Sequence, residues 1–284
     1  MADITGVTNI SLSQIMLADV QDYLAAQAIL LPSIWDLSSK VEPGAVSFDV
    51  PRITGGSAGD WPTAGDKATT GGVAIAVDQC LLDQFKQYST YIYDADRAKT
   101  AANLDDYFFE IAPSKLGDLI EVFIYAELKK ASAAAPDNIF QLTGASNLVP
   151  TVADIFTIAE MLDDLNVPKP DRKCAMGTAA YYALIQSDLI INGSKSLSNE
   201  ALINGAFSRV AGMDLLYSTN VTVAEVIGYH KEALAFGFAN GNSIQAVQSR
   251  NEDEFRDFRA LKAIYGSKVL DAGKRCVLGN ATGA

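Results

Sequence analysis

Apolar residues near the amino terminus recur every four positions, at Leu12, Met16, Val20, Leu24 and Ala28, and Ser11 with Gln14 makes a capping-box pattern ahead of them. A first helix is predicted over about 12 to 30, ending near Pro32. The period then changes to two. Val46, Phe48 and Val50 alternate with Ser47 and Asp49, and Val73, Ile75 and Val77 alternate with Ala74 and Ala76, which predicts two strands. The stretch between them, TGGSAGDWPTAGDKATTGG, carries six glycines and one large apolar residue, Trp61. It cannot bury enough surface to form a body of its own, so the region reads as a protruding hairpin with a flexible tip.

The helical period returns at Leu116, Ile120, Phe123, Ile124 and Leu128, predicting a helix over about 114 to 133. Leu104, Phe108 and Ile111 carry the stripe backwards across Pro113, which must kink this helix or open it. Burying the five main residues contributes about 1.5 to 3 kcal/mol each, which makes this helix the spine of the fold. AAAPDN at 133 to 138 reads as a boundary. Beyond it, Thr151 and Asp154 resemble a capping box for a helix built on Ile155, Ile158, Leu162 and Leu165 and ending at Val167-Pro168. A strand at 173 to 176, a helix at about 178 to 188 and strands near 209 to 217 and 225 to 239 follow. Strands at 244 to 249, 258 to 265, 267 to 271 and 275 to 278 return to the spine. The class is mixed α+β.

Composition sharpens this picture in two respects. The chain of 284 residues is 49% hydrophobic, enough for a real core at the size where single cores begin to divide. Its formal charge is −12, which argues against a surface built to grip phosphate backbones. Residues 250 to 284 carry seven basic against five acidic side chains, so the remainder holds −14. That asymmetry suits contact between copies of the chain, and a solvated surface explains it equally well. Cys80, Cys174 and Cys276 are widely spaced and odd in number, as free thiols in a reducing compartment would be. Neither a signal peptide nor an apolar run of membrane-spanning length is present in the sequence.

Candidate chemistry is sparse. Gly55-Gly56-Ser57-Ala58-Gly59 fits the G-x-S-x-G elbow of serine hydrolases, with His230 as a possible base, but Asp60-Trp61-Pro62 follows where the elbow needs a helix. His230 is the sole histidine, and a zinc site would have to gather Cys174, Cys276 or carboxylates from distant positions. The pairs Asp105-Asp106 and Asp163-Asp164 and the run Glu252-Asp253-Glu254 point apart if helical and read as solvated faces. No phosphate-binding or dinucleotide motif occurs in the sequence, so no cofactor is implied.

Three segments carry a family resemblance: CAMGTAAYYALIQSD at 174 to 188, NGAFSRVAGMDLLYSTNV at 204 to 221 and AIYGSKVLDAGKRCVL at 263 to 278. In this order and spacing they resemble the carboxy-terminal half of tailed-bacteriophage major capsid proteins of the Hong Kong 97 type. The resemblance implies an amino-terminal arm (1 to 44), an extended hairpin loop (45 to 80), a peripheral domain with the long spine helix (81 to 135 and 243 to 284) and an axial domain (136 to 242). It implies a virion shell of pentamers and hexamers, assembled in the bacterial host cytoplasm around double-stranded DNA without reading its sequence. A separate scaffolding protein, a portal and possible decoration proteins would be the partners, with no membrane involved. Trp61, Lys67, Arg250 and Arg256 are the expected inter-subunit contacts. An encapsulin-like nanocompartment shell is the alternative with the same fold. Some capsids of this fold join a loop lysine to an asparagine. Here Lys67 sits among small and polar residues that should keep it hydrated and charged, and the possible acceptors Asn251 and Asn280 lie in turn-like or terminal segments, so a noncovalent shell is expected.

Overall fold

The computed structural model describes residues 29–55, 73–100, 104–144, 149–186, 209–222, 224–239 and 244–282. Positions 12–28 of the first predicted helix and the hairpin tip at 56–72 lie outside them. Ile29 and Leu30 are not helical as predicted: they form a bend running into a 3₁₀ turn, Leu31–Ser33, with Pro32 in its first positions. In chain order follow β1 (Trp35–Asp36), β2 (Ser47–Gly55), β3 (Val73–Leu81), β4 (Gln84–Tyr93), α1 (Asp94–Lys99), α2 (Leu104–Ala133) and β5 (Ile139–Gln141). The middle of the chain contributes α3 (Val152–Asp164), β6 (Arg172–Gly177), α4 (Thr178–Ile185), β7 (Arg209–Val210), β8 (Met213–Ser218) and β9 (Val226–His230). The last part contributes β10 (Leu234–Phe238), β11 (Ile244–Asn251), β12 (Arg256–Val269) and β13 (Cys276–Asn280).

Helix α2 is the predicted spine, 30 residues long with Pro113 inside it. The proline withholds one backbone donor yet does not end the helix, because the stripe on both sides of it, Phe108, Ala112, Leu116 and Ile120, is buried. One core surrounds α2 and draws on both large sheets: Leu261, Ala263 and Tyr265 come from β12, and Ile227, Tyr229, Cys276 and Leu278 from β9 and β13. A second core lies between α3, α4 and the opposite face of the six-stranded sheet β5-β13-β9-β6-β8-β7. Alternation along these strands is strict. Ala175, Ile227 and Cys276 face α2, while Cys174, Met176, Val226 and Val277 face the other helices. Helix α3 opens on the predicted capping box: Asp154 accepts the Thr151 backbone N–H at 2.7 Å, and the Thr151 hydroxyl accepts the Asp154 N–H at 3.3 Å. The helix approaches β9 so closely that a Cβ on Gly228 would stand 2.1 Å from Ile158.

The five-stranded sheet is built on β12. It pairs with β4 along one edge and with β11, then β10, along the other; β1 joins β10 in parallel. The alternation rule misses β4, whose sequence QFKQYSTYIY carries polar residues on both faces. Two predictions are corrected here. The run 225–239 is two strands in different sheets, separated by a 3₁₀ turn at Lys231–Ala233 where the chain crosses from one sheet to the other. The predicted break near Gly266 is absent: β12 runs through it, and glycine is required because a Cβ there would stand 1.9 Å from the Leu81 carbonyl oxygen. The two sheets are interlaced, since β10 belongs to the five-stranded sheet and β13, from the end of the chain, to the six-stranded one.

Candidate inter-subunit contact surface

Strands β2 and β3 pair antiparallel from Ser47 with Leu81 to Gly55 with Val73, forming the predicted hairpin. Its two faces differ. Phe48, Val50 and Cys80 are buried against Leu37, Val41, Leu82, Ala235 and Leu270. Arg52 ties the same face to the body through an ion pair with Asp271 and lies 3.6 Å from Asp78. On the opposite face Pro51 stands across from Val77 and Ile53 across from Ile75. Ile53 is 75% exposed and Ile75 69% exposed. An alternating strand that is apolar on both faces is built to be covered on both, and the described residues cover only one.

The β11–β12 end of the five-stranded sheet holds the two described candidates, Arg250 and Arg256. Arg250 makes a two-pronged pair with Asp94, at 2.6 and 3.1 Å, and reaches Asp257 at 3.0 Å. Asp257 also meets Arg97 at 2.8 Å and Arg259 at 3.7 Å. Burial pushes the Asp257 carboxyl up, but its bonds to Arg250 and Arg97 outweigh that and hold it below the usual range; Arg250 lowers Asp94 in the same way. Arg250 therefore fixes the end of its own sheet. Arg256 is mostly covered, its side chain 22% exposed, with its guanidinium 3.9 Å from the Tyr91 ring centre and ion-paired with Glu254. Tyr91 packs against Phe258 at 5.3 Å, and Tyr93, Phe85 and Phe255 are exposed nearby in sequence or on the same strands. Trp61 and Lys67 lie outside the described residues.

One junction escaped sequence reasoning. Glu121 of α2 is buried and accepts four hydrogen bonds: from the backbone N–H groups of Ile29 and of Leu30 (3.1 Å), from the Ser218 hydroxyl (2.7 Å) and from the Asn220 amide (2.9 Å). A single carboxylate thus joins the amino-terminal segment, the spine and the Ser218-Thr219-Asn220 turn after β8. A signal existed, because Glu121 sits three positions before Ile124 and four after Gly117, inside the arc that α2 buries.

This architecture has solved counterparts. The chain is similar to a structure from Mycobacterium phage Che8, at 21% identity and a TM-score of 0.66, covering 84% of this chain and 86% of that one. It is similar to the capsid structure of the cyanophage P-SCSP1u, at 17% identity and a TM-score of 0.69, covering 87% and 86% of the two chains. The fold is that of a phage capsid subunit. A virus-like particle from Pyrococcus furiosus shares this capsid fold at 12% identity and a TM-score of 0.57, covering 93% of this chain and 96% of that one. No protein-family model and no curated protein matches the sequence.

Within the capsid fold the other candidate groups have structural positions. His230 ends β9, buried, and its Nδ1 accepts the Glu232 backbone N–H at 3.1 Å. Ser57, its partner in the hydrolase reading, lies outside the described residues. Cys174 and Cys276 are buried on opposite faces of the six-stranded sheet, and burial pushes both thiols up to about 12. Among the described residues no group of three or more His, Cys, Asp and Glu side chains could hold a metal ion, and no helix is long and apolar enough to cross a membrane. The amides of Asn251 and Asn280 serve local turns, accepting from the backbone of Asp253 and Thr282, each at 3.1 Å.

Burial holds the His230 imidazole below its ordinary range, opposed by Glu232. Below about pH 6.5 the unfolded chain therefore binds a proton that the folded chain resists, so stability falls as pH drops through that value. His230→Asn keeps an acceptor for the Glu232 N–H and cannot be protonated. Urea midpoints at pH 7 and pH 5 are expected to separate less in this variant than in the parent chain; equal separations would refute the assignment.

Proposed function

We propose that this protein is a major capsid protein, assembling into the icosahedral shell that encloses the double-stranded DNA genome of a tailed bacteriophage. The observation that carries the reading is the hairpin's uncovered apolar face, Ile53 and Ile75 above all, on a fold shared almost end to end with a phage capsid subunit. The role is structural rather than catalytic, and the acidic chain suits a wall that encloses duplex without gripping its phosphates. The proposed organisation is an arm at 1–44, an extended loop at 45–80, a peripheral part at 81–135 with 243–284 and an axial part at 136–242, with β10 and β13 exchanged between the last two. Trp61 and Lys67 of the loop, with Arg250 and Arg256 at the β11–β12 end of the five-stranded sheet, are proposed to meet neighbouring copies. Pentamers and hexamers of the chain, a separate scaffolding protein and a portal complete the assembly, built in the host cytoplasm.

Electron microscopy of the purified chain, alone and with its scaffolding partner, is expected to show closed shells or capsomers. A stable 30.3 kDa monomer under every assembly condition would overturn the proposal. A nanocompartment shell shares the fold, as the virus-like particle from Pyrococcus furiosus does, and differs in enclosing enzymes rather than DNA. Nucleic acid recovered from particles made in infected cells separates the two.

A further inference from the structure

The hairpin of β2 and β3 is held to the body in two different ways. At its base Phe48, Val50 and Cys80 are buried in an apolar contact. One step further out on the same face, charge replaces packing: Arg52 is ion-paired with Asp271, in the turn Asp271–Gly273 between β12 and β13. The two side chains keep 29% and 32% of their surface exposed, so this tie is ionic and part-solvated. The turn that receives it abuts the spine, since a Cβ on Gly273 would stand 1.9 Å from the Ala131 carbonyl oxygen. Asp271 and Ala272 both adopt left-handed backbone, at φ 53° and 51°, a region that costs most side-chain-bearing residues energy and that aspartate tolerates best. Backbone strain is therefore concentrated where the carboxylate meets Arg52.

Each half of this ion pair has a second partner in its own element. Arg52 Nε lies 3.6 Å from Asp78 Oδ2 across the hairpin, and neither of these two solvent-excluded atoms makes a hydrogen bond. Asp271 Oδ2 lies 3.6 Å from Arg275 Nε, whose guanidinium also holds Glu232 at 2.5 Å. Both 3.6 Å pairs are a short movement away from hydrogen-bond distance. Closing Arg52 onto Asp78 and Asp271 onto Arg275 would satisfy the two unpaired atoms and release the hairpin from the turn, with no charge left alone. A cleft of about 600 Å³ beside them, lined by Asp78, Glu127, Lys130, Ser267 and Lys268, gives the hairpin room to move.

We propose that Arg52 is a two-position latch. Bound to Asp271 it fastens the hairpin to the body; turned onto Asp78 it frees residues 51–55 and 73–77 to pivot on the buried base. The latch belongs to the free subunit and is measured without assembly, whereas the consequence that its release re-aims the face of Ile53 and Ile75 toward a neighbour rests on the shell reading. The native cysteines are all buried, so spin labels at Ile53→Cys and Asp118→Cys in the full-length subunit report the hairpin's position against the spine by pulsed electron resonance. The labelled parent is expected to give one dominant distance. Asp271→Asn suits the left-handed backbone but offers Arg52 no charge. It is expected to add a second distance and to speed amide exchange at 52–53 and 75–77 by about ten-fold, with protection at 116–128 unchanged. Asp78→Asn removes the rival acceptor and is expected to keep the single distance, with exchange no faster than in the parent. An unaltered distance distribution in Asp271→Asn overturns the latch. Asp78→Asn loosening the hairpin as much as Asp271→Asn would show that Asp78 helps to hold it closed, which overturns the partner exchange. Protection lost at 116–128 in Asp271→Asn would assign that residue to the core and overturn the latch as well.

Discussion

Replacing Glu121 by leucine is expected to lower the stability of the subunit by about 3 to 5 kcal/mol. The carboxylate is buried and receives four donors, two from the backbone at 29 and 30 and two from Ser218 and Asn220. An apolar side chain of similar length fills the space but leaves those donors without an acceptor, and each unsatisfied buried group costs about 1 to 3 kcal/mol before partial rehydration. Glu121→Gln is expected to lose less, since one carbonyl oxygen remains to accept while the amide nitrogen confronts other donors. Urea unfolding of the two variants beside Asp118→Asn, an exposed change on the same helix, provides the measurement. A Glu121→Leu protein within about 0.5 kcal/mol of the parent would show that the junction carries no weight.

Ile53→Asp combined with Ile75→Asp is expected to leave the subunit folded and to cut particle yield by about a hundred-fold. Both side chains are exposed in the isolated chain and stand directly opposite each other, so charging them removes little from its own core. If a neighbour covers them in the shell, each isoleucine contributes about 1.5 to 3 kcal/mol per contact, repeated over every copy, and two aspartates add the penalty of burying charge. Val50→Asp is the contrasting change. Val50 lies on the buried face of the same strand and its replacement is expected to unfold the hairpin base. Sedimentation of assembly reactions, with circular dichroism of the free subunits, separates the outcomes. Full particle yield from the double variant would mean that no neighbour covers this face.

Much of the fold was legible in the sequence because local periodicity sufficed. The spine stripe at Leu116, Ile120, Ile124 and Leu128, the capping box at Thr151 and Asp154, and the alternation in β2 and β3 each declare one element from neighbouring residues alone. The three carboxy-terminal segments that carried the family resemblance fall on β6 and α4, on β7 and β8, and on β12 and β13. What only the tertiary structure decided is partnership. The sequence cannot say that β9 and β10, three residues apart, enter different sheets, because both read as the same apolar run and the choice depends on which distant strand is free to pair. Nor can it say that Gly266 continues a strand, since the reason is a carbonyl of Leu81 that arrives from the far end of the hairpin. Glu121 looks in sequence like one more charge on a helix, and its role exists only where two separate segments bring their donors to it. Local pattern fixes which faces are apolar; long-range packing fixes what covers them, and on Ile53, Ile75, Leu119 and Val122 the described chain leaves that place open.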